Sequence, residues 1–415
     1  MLDIQFIRDN PELVQTKSEQ KGYKNIDIAA LLQLDSDRRV RVSQIDELRA
    51  RRNTQAQELK AGRPTEEQIT NGKMLKEEVA AAEADLAIIN EKYQVLMAGI
   101  PNIAKDDVPI GGEELSVEVS QYGSRDTGAE DHLDFMTKRD WVDFERGAKV
   151  AGQKFYYLKG DGALLENAIT QFALHFIVGK GFTFMTVPHM VNGRTATGTG
   201  FAPRSDKQSD EYFVEGEDLS LIATAEMPLT GYHADEIIDE TKLPLLYVGI
   251  SPCYRKEAGA AGKHTRGLFR VHQFNKLEMY AFTTPEASEE MHERIRSIEE
   301  ELWQTLGIPY HIINIASGDL GAPAAKKYDL EYWSKVDGNF RELTSCSNCT
   351  DFQARNLNIR VRRADGNVEM LHTLNGTAVS LARSLVAVVE HYQTEDGLLR
   401  VPAVLQPYMG NQTQI

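Results

Sequence analysis

The sequence predicts an α+β chain in which a long antiparallel helical hairpin precedes a domain built on a largely antiparallel β-sheet flanked by helices. Three observations carry this. Leu75, Val79, Ala82, Leu86, Ile89, Tyr93 and Leu96 recur at alternating steps of four and three, the heptad seam of a coiled coil. Across residues 28–97, glycine and proline occur only as Gly62, Pro64 and Gly72, so two long helices can run with one turn, "AGRPTEEQ", between them. Beyond the linker "GIPNIAKDDVPIGG", short β-rich segments alternate with helices and often follow one another in hairpin order.

Residues 1–27 read as a short cap: a strand or turn, then a helix after Asn10-Pro11. The first long helix carries a weaker seam in Leu34, Ile45, Leu48 and Leu59. Thr65 with Gln68 fits a capping box that opens the second. At 1.5 Å per residue such a hairpin reaches about 50 Å. The β-rich segments are "FTFMTVPHMV", "LSLIATAE", "LPLLYVGISPCYR", "FNKLEMYAF", "PYHIINIAS", "FRELTSCSN" and "VEMLHTLNG". Helices fit "ENAITQFALHFIVGKG", "PEASEEMHERIRSIEEELWQTLG" and the amphipathic "AVSLARSLVAVVEHYQ".

A length of 415 residues suits two or three domains of roughly 100–200 residues. No apolar run approaches the roughly 20 residues of a membrane span, and "MLDIQFIRDNPEL" lacks a basic stretch followed by an apolar one. Neither a membrane partner nor a signal peptide is expected. Three cysteines, Cys253, Cys346 and Cys349, argue against a disulfide framework and for a cytoplasmic setting. Cys346 and Cys349 form a CxxC with no second pair, so reduced thiols and no zinc are expected.

The chain carries a net charge of -16. Yet between Tyr254 and Lys276 it gathers Arg255, Lys256, Lys263, Arg266, Arg270 and Lys276 against one acid, Glu257. That concentration points to an anionic ligand. "GAAGKHT" imitates a phosphate-binding P-loop but fails it: Glu257 stands where the first glycine belongs, and His264 where Ser or Thr belongs. A second basic run, Arg38, Arg39, Arg41, Arg49, Arg51, Arg52, Lys60 and Arg63, faces only Asp46, Glu47 and Glu58, whereas the second hairpin helix is net acidic. Two readings stay open: solvated faces that attract each other, or a basic edge that meets phosphates.

"PCYRKEAG" sets an arginine two residues before a glutamate at a strand end. "TRGLFRVHQFNKLEMY" returns as a second strand, and "LNGTAVSLARSL" places Arg383 in a helix that begins after a glycine. Together these resemble motifs 2 (about 247–280) and 3 (about 370–393) of the class II aminoacyl-tRNA synthetases, with "FTFMTVPHMV" in motif 1 (about 165–190). "TAEMPLTGYHADEI", "SPCYRKEAGAAGKHTRGLFRVHQF", "SCSNCTDFQAR", "LNGT" and the hairpin ending in "IPNIAKDDVPIG" look like the seryl-tRNA synthetase family of bacterial type, over essentially the whole chain. The resemblance implies a tRNA-binding domain at 1–103 and a class II catalytic domain at 104–415, dimeric through motif 1. It implies activation of L-serine with ATP and Mg²⁺, then transfer to tRNA(Ser), and to tRNA(Sec) where one exists. The hairpin of one subunit would reach the tRNA bound at the other.

Activation spreads negative charge over phosphate oxygens, so it needs positioning and electrostatics more than a side-chain base. By resemblance, Arg255 holds the α-phosphate and the serine carboxylate, a planar fork suited to oxyanions, and Arg383 meets the γ-phosphate. Glu342 and Ser345 in "ELTS" contact Mg²⁺ and ATP, with Leu343 and Thr344 between them and Lys256 nearby. Phe274 stacks on adenine, and Glu257 reads the adenine edge or orders the loop. Thr224 and Glu226 hold the serine amino group, with Ala225 between them also at the serine site. Glu278 accepts a bond from the hydroxyl, with Thr377 beside it; such a site rejects alanine because a buried polar group is left unpaired. Arg38, Arg41, Arg49 and Arg52 would meet tRNA. Ala223 replaces a frequent proline, Lys256 a common serine, and "NGTAVSLAR" the commoner "NGSGLAVGR", so Ala378 is expected to restrict the backbone beside the pocket. Two alternatives are a class II-like ligase for a carrier protein, which would lack the hairpin, and a non-catalytic paralogue, which would lack the arginines and acids of the ATP site.

Overall fold

The structure, a computed structural model, describes residues 1–59, 65–201, 210–257 and 266–415. Lys60, Gly62, Arg63, Pro64, Lys263 and His264, and the side chains of Glu58 and Leu59, lie outside the described residues. The chain divides into two compact units, Met1–Pro101 and Asn102–Ile415.

The first unit begins with a helix rather than the expected strand or turn. The Asp3 carboxylate accepts the Gln5 N–H and caps Ile4–Asp9; Pro11 then opens a second helix, Pro11–Gln20. The long helices Ile28–Leu59 and Glu66–Gly99 run antiparallel. Arg38 Nε donates to Asn90 Oδ1 at 2.9 Å, Arg49 pairs with Glu83 at 2.7 Å, and Gln55 donates to the Gln68 carbonyl at 3.1 Å. The capping box is present: Thr65 Oγ1 accepts the Gln68 N–H, and Gln68 Oε1 accepts the Thr65 N–H. Of the predicted seam, Leu75, Val79, Ala82, Tyr93 and Ile45 are buried, while Leu86, Ile89, Leu96, Leu34 and Leu48 are half-buried. Asp35, fully buried on the first long helix, is gripped by Arg8 through two hydrogen bonds of 2.8 and 2.9 Å.

The second unit is organised by one eight-stranded sheet. Its order is Val117–Tyr122, Tyr310–Asn314, Lys326–Ser334, Asn339–Thr350, His372–Ser380, Gln273–Thr283, Leu245–Tyr254 and Thr183–Thr186. Neighbours are antiparallel except the last pair. Helices Gly160–Gly179, Ser288–Thr305 and Leu381–Tyr392 contribute to the main core against it. The strand Gln273–Thr283 is covered on both faces. Leu277, Met279 and Ala281 enter the main core, while Tyr280 and Phe282 enter a second cluster with Ile222, Met227 and Leu357. Side chains alternate across a strand, so Lys276 and Glu278 share the face of Tyr280 and Phe282.

Two expectations need correction. "LSLIATAE" is strand only at Leu219–Leu221 and turns into a short helix, Glu226–Gly231. The strand carrying "LNGTAVS" runs on through Ser380, and the following helix starts at Leu381. Nine of that helix's twelve residues are buried, so its broad apolar face packs into the core, as its amphipathic pattern requires. Among the described residues no helix is long and apolar enough to cross a membrane.

At Gly376 the helix Ser288–Thr305 comes close to this sheet. A Cβ there would lie 2.3 Å from Ile295 Cγ2 and 3.0 Å from Glu299 Oε1. Gly376→Ala is therefore expected to destabilise the second unit by roughly 1–3 kcal/mol through overpacking. Urea unfolding checks this, and an unchanged midpoint would show that the helix can shift aside.

Candidate active site

Two β-bulges decide which side chains meet. Opposite Leu330–Glu331 the pairing jumps from Thr344 to Glu342, leaving Leu343 as an extra residue. In an unbroken strand Glu342 and Ser345, three apart, would face opposite sides; the extra residue restores them to one. Opposite Leu277–Glu278 the pairing jumps from Val379 to Thr377, with Ala378 as the extra residue, which likewise brings Thr377 and Ser380 to one side. Ala378 sits in this buried bulge, with its backbone outside the left-handed region.

The bulged strands and the ends of the Leu245–Tyr254/Gln273–Thr283 hairpin enclose a cleft with about 570 Å³ of empty space, open to solvent. Of the predicted residues, Arg255, Glu257, Phe274, Glu342, Leu343, Thr344, Ser345, Thr377 and Arg383 line it. Arg255 follows the strand end. Its guanidinium lies 5.3 Å from the Phe274 ring centroid, and its Nε donates to the Ala223 carbonyl at 3.3 Å. That contact uses the backbone, so alanine in place of proline keeps the acceptor. Glu257 takes a left-handed backbone, φ 52°, and accepts from Arg270 at 2.9 Å. Lys256 points elsewhere: its ammonium lies over the Tyr212 and Phe213 rings, and it is not on the cleft wall.

Across the cleft Arg383 pairs with Glu342 at 3.1 Å and sits 4.8 Å from the Phe269 centroid. Burial alone would raise the Glu342 carboxyl. The cations of Arg383, Lys327 and Arg255 outweigh it and hold the group at about 2. Its side chain is still 44 % exposed to the cleft. Asp329 is register partner to Ser345; there burial, helped by the Glu342 charge, pushes the carboxyl up. The Glu342 carboxylate and Ser345 hydroxyl, brought to one side of the strand, are hard oxygen donors of the kind Mg²⁺ takes.

Thr224, Ala225, Glu226 and Glu278 are not on the cleft wall but lie in the protein behind it, all buried. Lys276, which does line the cleft, connects the two regions. It ion-pairs with Glu278 and donates to Thr224 Oγ1 at 3.3 Å. Thr377 Oγ1 donates to Glu278 Oε2 at 3.4 Å. Burial raises the Glu278 carboxyl, against the pull of Lys276. Burial also raises Glu226, and with the Glu278 charge beside it the group reaches about 7. Two carboxyls, one ammonium and two hydroxyls thus form a buried polar cluster beside a cationic cleft.

Residues 211–392 match the model of the tRNA synthetase class II core domain (G, H, P, S and T), and residues 1–104 match that of the seryl-tRNA synthetase N-terminal domain. The serine--tRNA ligase of Dictyoglomus thermophilum is 45% identical over 418 residues, covering 99% of this chain and 98% of the relative. The chain belongs to the seryl-tRNA synthetase family. The serine--tRNA ligase of Treponema denticola is 42% identical, over 99% of both chains. The seryl-tRNA synthetase of Pyrococcus horikoshii, solved in complex with ATP, superposes with a TM-score of 0.90 at 40% identity, covering 100% of this chain and 99% of that one.

The family's N-terminal domain here places Arg38, Arg41 and Arg49 against the opposite helix. Arg38 bonds Asn90 and lies 5.2 Å from the Tyr93 centroid, Arg41 pairs with Asp85 at 3.2 Å, and Arg49 pairs with Glu83. The attraction between faces is therefore real along this stretch, while Arg51 and Arg52 are exposed. Sequence reasoning did not single out Gln353 or Asn375, and it gave Lys276 only as one of the basic run, without its pairing to Glu278. Cys346 and Cys349 are buried and not joined in a disulfide, and among the described residues no three His, Cys, Asp or Glu side chains group as metal ligands.

The Lys276–Glu278 pair is itself testable. Both side chains are at least nine-tenths buried. Lys276→Met is expected to cost about 3–5 kcal/mol, because it leaves a buried carboxylate unpaired. Lys276→Met with Glu278→Gln should recover most of that. A double-mutant cycle by urea unfolding reads the coupling, and strictly additive losses would show that the pair is incidental.

Proposed function

We propose that this chain activates L-serine with ATP to seryl-adenylate and transfers the seryl group to the 3′ end of tRNA(Ser), and of tRNA(Sec) where one exists. The reading rests on one observation: a cleft walled by Arg255, Arg383 and Glu342 adjoins a buried Glu226–Glu278–Lys276 pocket, in a chain of this family. In the first step a serine carboxylate oxygen bonds the α-phosphorus, and the bond to pyrophosphate breaks. In the second, a terminal ribose hydroxyl of tRNA attacks the seryl carbonyl, and AMP leaves.

Arg255 aligns the two reacting anions with its planar fork, while Arg383 takes the far phosphate. Phe274, at the mouth, offers its ring to adenine. Glu226 and Thr224 take the serine ammonium, and Glu278 accepts from its hydroxyl. Alanine leaves Glu278 unpaired, which is strong discrimination; threonine has to be excluded by shape. Glu342 and Ser345 would hold Mg²⁺, which supplies positive charge against the polyphosphate. The family's motif 1 region, helix Gly160–Gly179 with strand Thr183–Thr186, would join two subunits, and the enzyme would work in the cytoplasm.

Pyrophosphate exchange with each of the twenty amino acids should respond to serine alone and require Mg²⁺. Arg255→Ala should lower it by roughly 10²–10³-fold, the usual effect of losing a preorganised charge contact. Near-normal exchange in that variant would sink the assignment.

The hairpin is the tRNA-binding element in this reading, because its first helix carries the basic run. Phosphate contacts position a nucleic acid and carry little sequence information, so the arm reads shape. Replacing 28–97 with a short Gly-Ser linker should spare adenylate formation and abolish charging of tRNA(Ser). Reversing Arg51 and Arg52 should weaken charging more mildly and flatten its salt dependence. Normal apparent affinity for tRNA in the armless protein would make the hairpin a spacer.

A further inference from the structure

Behind the pocket lies a hydrogen-bond network that the activation chemistry does not use directly. Gln353, fully buried, stands on the short helix Phe352–Leu357 that follows the strand Asn339–Thr350. Its Nε2 donates to Glu226 Oε1 at 2.7 Å and to the Thr199 carbonyl at 3.0 Å. Its Oε1 accepts from the Tyr280 hydroxyl at 2.9 Å and the Thr373 hydroxyl at 2.7 Å. Every hydrogen-bonding position of the amide is filled. Its orientation is fixed as well, because a backbone carbonyl can only accept and so requires the NH₂ on that side. Asn375, from the strand His372–Ser380, donates to the same Glu226 oxygen at 3.0 Å. Two amides thus converge on Oε1 of one buried carboxylate.

We infer that Gln353 is a positioning residue of the amino-acid pocket: with Asn375 it clamps one oxygen of Glu226 and so fixes the orientation in which that carboxylate meets a substrate ammonium. The inference rests on the serine-activating reading above. Neither amide touches the substrate; both act through Glu226. The clamp also bears on charge. Glu226 is raised to about 7 by burial and by Glu278, against the donors of Gln353 and the cations of Lys276 and Arg255. Among the described residues, Tyr280 and Glu278 of the strand Gln273–Thr283 also lie close to it, and the Cys349 sulfur accepts from Asn375 at 3.8 Å. Donors to a carboxylate favour its ionised form, so losing one shifts ionisation to higher pH. An ammonium ligand needs that ionised form, and serine binding should therefore strengthen as pH rises through the Glu226 titration.

Gln353→Met is the variant to make. It should raise the serine KM roughly tenfold near neutral pH, the scale of one lost hydrogen bond to a charged group, with the ATP KM and the rate at saturating serine little changed. The loss should shrink as pH is raised. In protein labelled with ¹³C at glutamate carboxyls, with the Glu226 signal identified by its disappearance in Glu226→Gln, the titration midpoint should move up by about one unit. Should Gln353→Met not fold, Asn375→Leu removes the other donor and must show the same direction in both measurements. An unmoved midpoint, or equal pH-independent losses for serine and ATP, overturns the clamp. Failure of the wild type to exchange with serine, alongside a shifted midpoint, would overturn the proposed function and leave the clamp standing.

Discussion

Lys276 and Glu278 stand two residues apart on one face of a strand that is covered on both sides. Taking two charges out of water is expensive unless each finds a partner and its remaining hydrogen bonds are met. The surroundings follow from that requirement. Thr224 is held where Lys276 can donate to it, and Thr377 where it can donate to Glu278. Thr224 lies just ahead of the Glu226–Gly231 helix, and Thr377 lies on the neighbouring strand His372–Ser380. The Glu226–Gly231 helix and the His372–Ser380 strand must therefore close on Gln273–Thr283 for the pair to be satisfied. A polar pocket of this kind specifies geometry more than it adds stability.

The cleft in front of the pocket is arranged by phase. Both bulges insert one residue, and both bring polar side chains three positions apart onto the same wall. The inserted residues, Leu343 and Ala378, are themselves buried, so apolar contacts offset the lost ladder bonds. An arginine from the helix start, Arg383, then meets the acid that one bulge has turned toward it. The result is a cleft in which Arg383, Arg270 and Lys276 are ion-paired within the protein, while Arg255 is held by a backbone carbonyl.

What could be read in the chain depended on range. The heptad seam and the Thr65–Gln68 box are local patterns, and the structure has both. The Ile4–Asp9 helix was missed although Asp3 supplied an N-cap signal, because six residues give little periodicity. Arg255, Phe274, Glu342 and Arg383 were legible as motif residues, and the structure gathers them around one cleft. Their convergence was not readable from spacing, since strand alternation would set Glu342 and Ser345 apart. Gln353 was invisible for a different reason: its four partners come from Thr199, Glu226, Tyr280 and Thr373, spread over more than a hundred residues. The Arg8–Asp35 grip is a smaller case of the same kind.

That grip has a mechanical side. Asp35 lies near the base of the first long helix, and Arg8 ties it to the short helix Ile4–Asp9 by two parallel bonds, with Arg39 adding a third contact at 3.3 Å. A rod about 50 Å long multiplies any play at its root: one degree of swing moves the tip by about 1 Å. A planar, two-pronged contact resists rotation where a single bond would act as a pivot. The first nine residues of the chain thus brace the root of the first long helix.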